Sequence, residues 1–368
     1  MTESPTSSSS SSASPQVPSS SPLTIAICAP LEAEFVEQIQ RSAPEATVLY
    51  DPALLPPERF PADHSGDPAF QRTPEQEEQY WANIRQADAL YGLPNESAAG
   101  LARAVRENPK LRWVHAMAAG AGGSVRAAEL SPEELARVTV TTSAGVHALP
   151  LAEFALMGIL NGLKRVADLQ IDQKNKHWPT LRVPTPLASG SHLVISGLGE
   201  IGMETARLAK ALGMSVSGSK RAAVELEGIE EVVTNDGLGP LLANADAVVN
   251  TLPGTPYTEH LFNAELFATL KPGAIFVNVG RGTVVDEEAL LAALEDGTVS
   301  YACLDVFEQE PLPESSPLWE HPRVLVSPHT SALSLAENRL IAERFISNLA
   351  KFQVGEPLPH TVDPVYFY

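Results

Sequence analysis

Apolar residues along the chain fall into two recurring patterns. Short runs of aliphatic and β-branched residues alternate with longer stretches in which apolar positions return every three to four residues. The short runs predict strands over residues 23–28, 89–92, 112–116 and 138–141, with helices over 32–41 and 98–107 between them. Strands that alternate with helices specify an α/β unit built on a parallel sheet. Residues 52–74 are rich in Pro and Asp and read as an irregular surface excursion. One long, mostly apolar helix is expected over 149–166, followed by a polar, loop-like stretch over 168–191. A second series then begins, with strands expected over 192–196, 215–218, 247–251, 274–279, 301–306 and 324–327 and a closing helix over 335–352. The continuous Val, Ile and Leu character of these strands suits a sheet covered by helices on both faces. No internal repeat of fixed period is present.

Composition narrows the class. Hydrophobic residues make up 44% of 368, enough for two domains with their own cores. No apolar run approaches the ~20 residues that span a bilayer. A net charge of −20 argues against nucleic acid and against an anionic membrane surface, since both need clustered cations. An anionic substrate would therefore need a locally built positive field. The two cysteines, Cys28 and Cys303, lie far apart in apolar runs and read as buried, reduced thiols of a cytoplasmic protein. Residues 1–21 are rich in Ser and Pro and read as a disordered tail. Glu3 comes early and no apolar core follows, so the segment does not read as a secretion signal.

The second series opens on a strand followed by Gly197-Leu198-Gly199-Glu200-Ile201-Gly202 and then a helical run. A strand, G-x-G-x-x-G and a helix in that order form a dinucleotide site of the Rossmann type. The first glycine permits the tight turn, the second lets backbone approach a pyrophosphate, and the third lets the helix pack closely on the strand. At the end of the next strand, an NAD-specific domain carries an acid for the ribose hydroxyls. Here Ser219 is followed by Lys220 and Arg221. No acid repels a 2′-phosphate and two cations are available to pair with one, which favours NADP over NAD.

Three further strand ends carry chemistry. Val279-Gly280-Arg281-Gly282 places a permanent cation directly after a buried strand, suited to a carboxylate. Asp305 through Glu310 places acids after another. Ser327-Pro328-His329 places an imidazole after the last. No spacing of His, Cys, Asp and Glu suits a metal.

These segments together resemble the D-isomer-specific 2-hydroxyacid dehydrogenase family. The resemblance runs from about residue 23 onward and is strongest over 142–333. It also covers Ser143-Ala144-Gly145, Leu151-Ala152-Glu153 and the loop Leu252-Pro253-Gly254-Thr255 with Thr258. It implies a Rossmann-type doubly wound cofactor domain over 145–334 and a flavodoxin-like α/β substrate domain over 22–144 with 335–368. It implies hydride transfer between a nicotinamide cofactor and a small 2-oxo or 2-hydroxy acid, with glyoxylate or hydroxypyruvate expected, in a homodimer. Arg281 would pair with the substrate carboxylate and 2-oxo oxygen. His329 would be general acid in reduction and general base in oxidation. Glu310 would orient His329 and favour its imidazolium. Asp305 would bind the nicotinamide carboxamide, and Leu252, Pro253, Thr258, Val279 and Gly280 would line the cofactor.

The loop Ala118-Ala119-Gly120-Ala121 resembles the segment whose N–H groups hold the substrate carboxylate. It departs from the common pattern, in which Val and Asp follow the first Gly, and Lys220 stands where many members have Asp. His115 reads as structural. His64, His177, His192, His260, His321 and His360 show no partner pattern, and Trp178 reads equally as a pocket cap or as a packing aromatic. Two alternatives stay open: a short-form phosphoglycerate dehydrogenase, and a dinucleotide-sensing binding protein that does little chemistry.

Overall fold

A computed structural model describes residues 22–365 and 367; the expected tail over 1–21 lies outside the described residues. The chain divides into two compact units. One contains the described residues up to Val146 together with those from Leu335 onward, and the other contains His147–Ser334.

The first unit begins with β1 (Thr24–Ile27), α1 (Ala33–Ser42), β2 (Thr47–Leu49), α2 (Pro74–Arg85) and β3 (Ala89–Tyr91). It continues through α3 (Ala98–Glu107), β4 (Trp113–Ala116), α4 (Gly122–Ala127), α5 (Pro132–Arg137) and β5 (Thr139–Thr142). Helix starts are fixed by side chains that satisfy the first free N–H groups. Thr73 with Gln76, and Ser131 with Glu134, form capping boxes, each with Pro at the first helical position. The five strands are parallel in the order β2-β1-β3-β4-β5, the flavodoxin-like order. Alternate residues of each strand face opposite ways. Leu90 and Val114 join one core with Leu101 and Trp81, while Ile25, Tyr91 and Trp113 join the other with Ile39 and Phe345.

The second unit contains α6 (Ala148–Leu163), α7 (Val166–Lys174), β6 (His192–Ser196), α8 (Glu200–Ala211), β7 (Ser215–Ser219), β8 (Val232–Val233) and α9 (Leu238–Leu242). It goes on through β9 (Ala247–Asn250), α10 (Ala264–Phe267), β10 (Ala274–Asn278), α11 (Glu287–Asp296), β11 (Val299–Leu304) and β12 (Val324–Val326). The last helix, α12 (Glu337–Val354), belongs to the first unit and packs there on α1. Seven parallel strands run in the order β12-β11-β10-β9-β6-β7-β8. The chain leaves β6 in one direction and returns to build β9 on its other side. That reversal makes the sheet doubly wound and opens a crevice at the carboxyl ends of β6 and β9.

The apolar helix α6 lies directly on this sheet. A Cβ at Gly158 would stand 2.7 Å from Cys303 Cβ, and one at Gly162 would stand 2.6 Å from Ile275 Cγ1. The face of α6 that carries Leu151, Ala155, Gly158 and Ile159 is therefore core, while Leu149 and Met157 are exposed, and no helix among the described residues is long and apolar enough to cross a membrane. Cys28 and Cys303 are free and buried, and burial pushes both thiols up to about 12.

Two expectations need correction. The single helix over 149–166 is broken: α6 ends at Leu163, Arg165 adopts a left-handed conformation (φ 53°), and α7 restarts at Val166. The stretch read as a loop after residue 168 therefore begins as a helix. None of the residues of α7 is buried, so it carries no apolar period for a sequence pattern to register. Helix α2 was also absent from the pattern: it buries only Tyr80, Trp81 and Ile84, too few for a clear apolar period, although the Thr73–Gln76 capping box marks its start.

Phe345 of α12 is fully buried and stacks on Trp113 at 4.6 Å, with Tyr91 edge-on at 5.2 Å. Truncation there removes a large aromatic from a close-packed site. Phe345→Ala should cost about 3–5 kcal/mol in urea-induced unfolding; an unmoved midpoint would contradict this packing.

Candidate active site

The carboxyl edge of the seven-stranded sheet gathers the groups singled out by sequence in the second unit. After β6 the chain turns at Gly197, where φ is +104° and a Cβ would stand 2.8 Å from Thr251 Oγ1. Only glycine holds that turn without strain. A Cβ at Gly202 would stand 2.2 Å from the Gly197 carbonyl oxygen, so the first turn of α8 sits against the loop. At Gly199, the N-cap residue, a Cβ would meet nothing within 4 Å. Open space beside bare backbone, ahead of a helix of 12 residues, fits a dinucleotide pyrophosphate. Glu200 and Ile201 form the first helical turn.

The neighbouring strand supplies the cation. Ser219 is buried and its hydroxyl bonds Asn235 Oδ1 at 2.8 Å. Lys220 is exposed, and its Nζ donates to the Leu198 carbonyl inside the glycine loop at 3.3 Å. The ammonium therefore lies beside the turn that would hold the nucleotide. Arg221 follows it, exposed. Beyond β9, Leu252 is buried, and Thr258 Oγ1 closes its loop by donating to the Pro253 carbonyl at 2.7 Å.

Two asparagines that the sequence reading gave no role join these strand ends. Asn250 Nδ2 donates to Asn278 Oδ1 at 2.9 Å, linking the ends of β9 and β10. The same Asn278 oxygen accepts from Gly280 N at 3.1 Å, and Asn278 Nδ2 donates to the Arg281 carbonyl at 3.2 Å. Both side chains are buried. They fix the backbone at Val279, Gly280 and Arg281 and leave the guanidinium exposed, where its Nη1 donates to the Gly280 carbonyl at 2.7 Å.

The imidazole is held by two carboxylates in different ways. His329 Nδ1 lies 2.7 Å from Glu310 Oε2, while Glu310 Oε1 accepts from Phe307 N at 3.0 Å. A carboxylate only accepts, so Nδ1 carries the proton and Nε2 is left for a reacting atom. Asp305 is buried and does not touch the ring; it holds the loop that carries it. Its Oδ1 accepts from Ser327 Oγ at 2.6 Å, Thr330 N at 2.9 Å and Ser331 N at 3.0 Å, and its Oδ2 accepts from Ser331 Oγ. His329 N donates to the Asp305 carbonyl at 3.0 Å, in a left-handed conformation (φ 55°). The bracing roles of Ser327 and Ser331 had no sequence signal beyond their place beside Pro328 and His329.

In the first unit, Ala118, Ala119 and Gly120 follow β4 and are exposed, and Ala121 is buried at the start of α4. His115 is fully buried, and burial lowers its pKa to about 3. The remaining histidines do have partners. His64 bonds Asn338 at 2.9 Å, His177 bonds Asp172 at 2.8 Å, and His192 bonds Ser215 at 2.6 Å; His260 lies near Glu308 and His321 near Glu295. Apart from the local His177–Asp172 contact, five residues apart at the end of α7, these contacts join residues distant in sequence, so spacing could not disclose them. Among the described residues no group of three or more His, Cys, Asp or Glu could hold a metal ion.

Comparison with known proteins agrees with this geometry. Residues 156–331 match the model of the D-isomer specific 2-hydroxyacid dehydrogenase NAD binding domain. The chain is 30% identical over 312 residues to glyoxylate/hydroxypyruvate reductase A of Serratia proteamaculans (strain 568), covering 81% of this chain and 94% of that protein. A D-isomer specific 2-hydroxyacid dehydrogenase from Xanthobacter autotrophicus Py2, solved with NADPH and MES, superposes with a TM-score of 0.71 at 28% identity, covering 95% of this chain and all of that one. An NADPH-dependent glyoxylate/hydroxypyruvate reductase from Sinorhizobium meliloti, solved with NADP and sulfate, gives 0.69 at 27% identity, covering 94% of this chain and 100% of that one.

A two-domain α/β oxidoreductase with a nicotinamide dinucleotide site is thus the class that fold and site define. The chain belongs to the D-isomer-specific 2-hydroxyacid dehydrogenase family and is an NAD(P)-dependent enzyme of it.

The glycines separate two kinds of defect. Gly199→Val fits the free protein and should leave the unfolding midpoint unchanged while weakening NADPH binding at least about tenfold. Gly202→Ala should lower the midpoint as well as the affinity. Fluorescence titration alongside thermal unfolding checks both; full NADPH affinity in Gly199→Val would remove Gly199 from the cofactor site.

Proposed function

We propose that the protein reduces glyoxylate or hydroxypyruvate with NADPH as the preferred cofactor. The observation that carries this reading is the Glu310–His329 pair braced by Asp305, on strand ends next to the one that carries Arg281. Lys220 over the glycine loop supports NADPH, since an ammonium there suits a 2′-phosphate and no acid opposes it. The relatives named above act on these acids or bind NADP, which supports the same choice.

When bound, the nicotinamide supplies hydride to the 2-oxo carbon. Gly197 through Gly202 would hold the pyrophosphate, with Leu252, Pro253, Thr258, Val279 and Gly280 lining the cofactor. Asp305 Oδ2 takes one hydroxyl and so keeps lone pairs for the carboxamide. Arg281 binds the substrate carboxylate and stabilises charge developing on the 2-oxo oxygen. His329 holds the transferable proton at Nε2 and gives it to that oxygen in reduction; in the reverse direction Nε2 takes the proton from the hydroxyl. Glu310 keeps Nδ1 protonated and the ring aimed. The exposed residues Ala118, Ala119 and Gly120 offer backbone N–H groups to the substrate carboxylate.

A cytoplasmic homodimer completes the reading. The exposed apolar side chains Trp178, Leu181 and Leu187 in the second unit, all more than two-thirds exposed, support a surface that a second copy covers.

The test is NADPH and NADH oxidation with glyoxylate, hydroxypyruvate, pyruvate and larger 2-oxo acids. Turnover fastest with glyoxylate or hydroxypyruvate and with NADPH is expected, and turnover confined to pyruvate, to larger acids or to NADH contradicts the reading. His329→Ala should lower kcat by about 10²–10⁴ with NADPH affinity preserved. Lys220→Asp should move preference toward NADH; an unchanged NADPH/NADH ratio would separate Lys220 from the 2′-phosphate.

A further inference from the structure

A buried polar chain crosses the first unit beneath the Ala118–Gly120 segment. Trp113 Nε1 lies 2.8 Å from Thr141 Oγ1, and that oxygen lies 2.8 Å from His115 Nδ1. On the other side of the ring, His115 Nε2 lies 3.2 Å from Ser143 Oγ, which donates to the Ala116 carbonyl at 3.0 Å. His115, Thr141 and Ser143 are fully buried. Aromatic rings of Tyr91, Trp113 and Phe345 surround the imidazole, and the charged groups acting on it are Arg344 and His360, with no acid among them.

The direction of every bond follows from donor arithmetic. An indole N–H only donates, so Thr141 Oγ1 accepts from Trp113. The Thr141 proton then has His115 Nδ1 as its acceptor. Nε2 must carry the ring proton and donate to Ser143 Oγ, whose own proton goes to the Ala116 carbonyl. The opposite tautomer fails at both ends. It turns the Ser143 proton away from Ala116 and gives Thr141 two donors, with no acceptor for its own hydroxyl. Buried polar groups left unmatched cost more than the bonds they replace.

We propose that His115 is a positioning residue for substrate binding: locked as the neutral Nε2–H tautomer, it carries the order of β4 and β5 through Ser143 to the Ala116 carbonyl and so fixes where the N–H groups of Ala118–Gly120 point. The inference rests on the reading that this segment binds the substrate carboxylate. The segment is made of small, exposed residues, so its own side chains do little to hold it. The chain beneath supplies that rigidity.

The test pairs spectroscopy with kinetics on the full-length protein. Nitrogen-15 NMR of histidine-labelled protein should show His115 protonated at Nε2 only. Ser143→Ala removes the link to Ala116 and should raise KM for glyoxylate about tenfold, with kcat and NADPH affinity little changed. Val114→Ala, on the opposite face of β4, is the control for general destabilisation and should leave KM unaltered. An Nδ1–H tautomer overturns the proposal, as does an unchanged KM in Ser143→Ala. Ala119→Pro, which deletes one loop N–H directly, tells the two failures apart. If it alone raises KM, only the His115 inference falls; if it too is silent, the loop reading falls with it.

Discussion

The carboxyl edge of the seven-stranded sheet depends on one buried carboxylate. The Asp305 carboxylate draws two hydroxyls and two backbone N–H groups from residues 327–331 onto itself, and its main chain holds His329 N as well. A buried carboxylate demands such donors, because an unmatched charge in a low-dielectric interior is far costlier than the bonds that satisfy it. The demand works in both directions. The loop satisfies the anion, and the anion compels the loop into one shape, including the left-handed backbone at His329. With the backbone at His329 fixed, Glu310 meets Nδ1 at 2.7 Å and holds a ring that is half exposed. In the proposed mechanism this contact supplies the orientation that a general acid needs.

A similar economy governs charge. The chain carries a net −20, yet its proposed ligands are anions. The positive field is assembled from a few local sources at one sheet edge: the N-terminus of α8, the Lys220 ammonium and the Arg281 guanidinium. Each follows a strand of the parallel sheet. Asn250 and Asn278 tie two of those strand ends together without adding charge of their own. Field strength here comes from the placement of backbone and a few cations, which is why bulk composition says so little about the substrate.

Legibility in the sequence followed the kind of signal each feature leaves. The two α/β series, the glycine loop and the strand ends bearing Arg281, Glu310 and His329 were visible, because buried parallel strands are continuously apolar and the glycines obey a fixed spacing. Helix α7 was invisible because it buries nothing, and the break at Arg165 carries neither Gly nor Pro to mark it. The Asn250–Asn278 bridge and the serines around Asp305 join residues distant in sequence, so no local pattern announces them. His115 was legible only as structural. The proton order that gives it direction appears once Trp113, Thr141 and Ser143 are seen around it.

The most direct test of the account is a crystal structure with NADP and oxamate, a 2-oxo acid mimic that is not reduced. The account predicts the pyrophosphate over Gly197–Gly202, the 2′-phosphate at Lys220, the oxamate carboxylate on Arg281 and its oxo oxygen within hydrogen-bond distance of His329 Nε2. Oxamate bound away from Arg281, or His329 turned from Glu310 with Nε2 facing elsewhere, would contradict it.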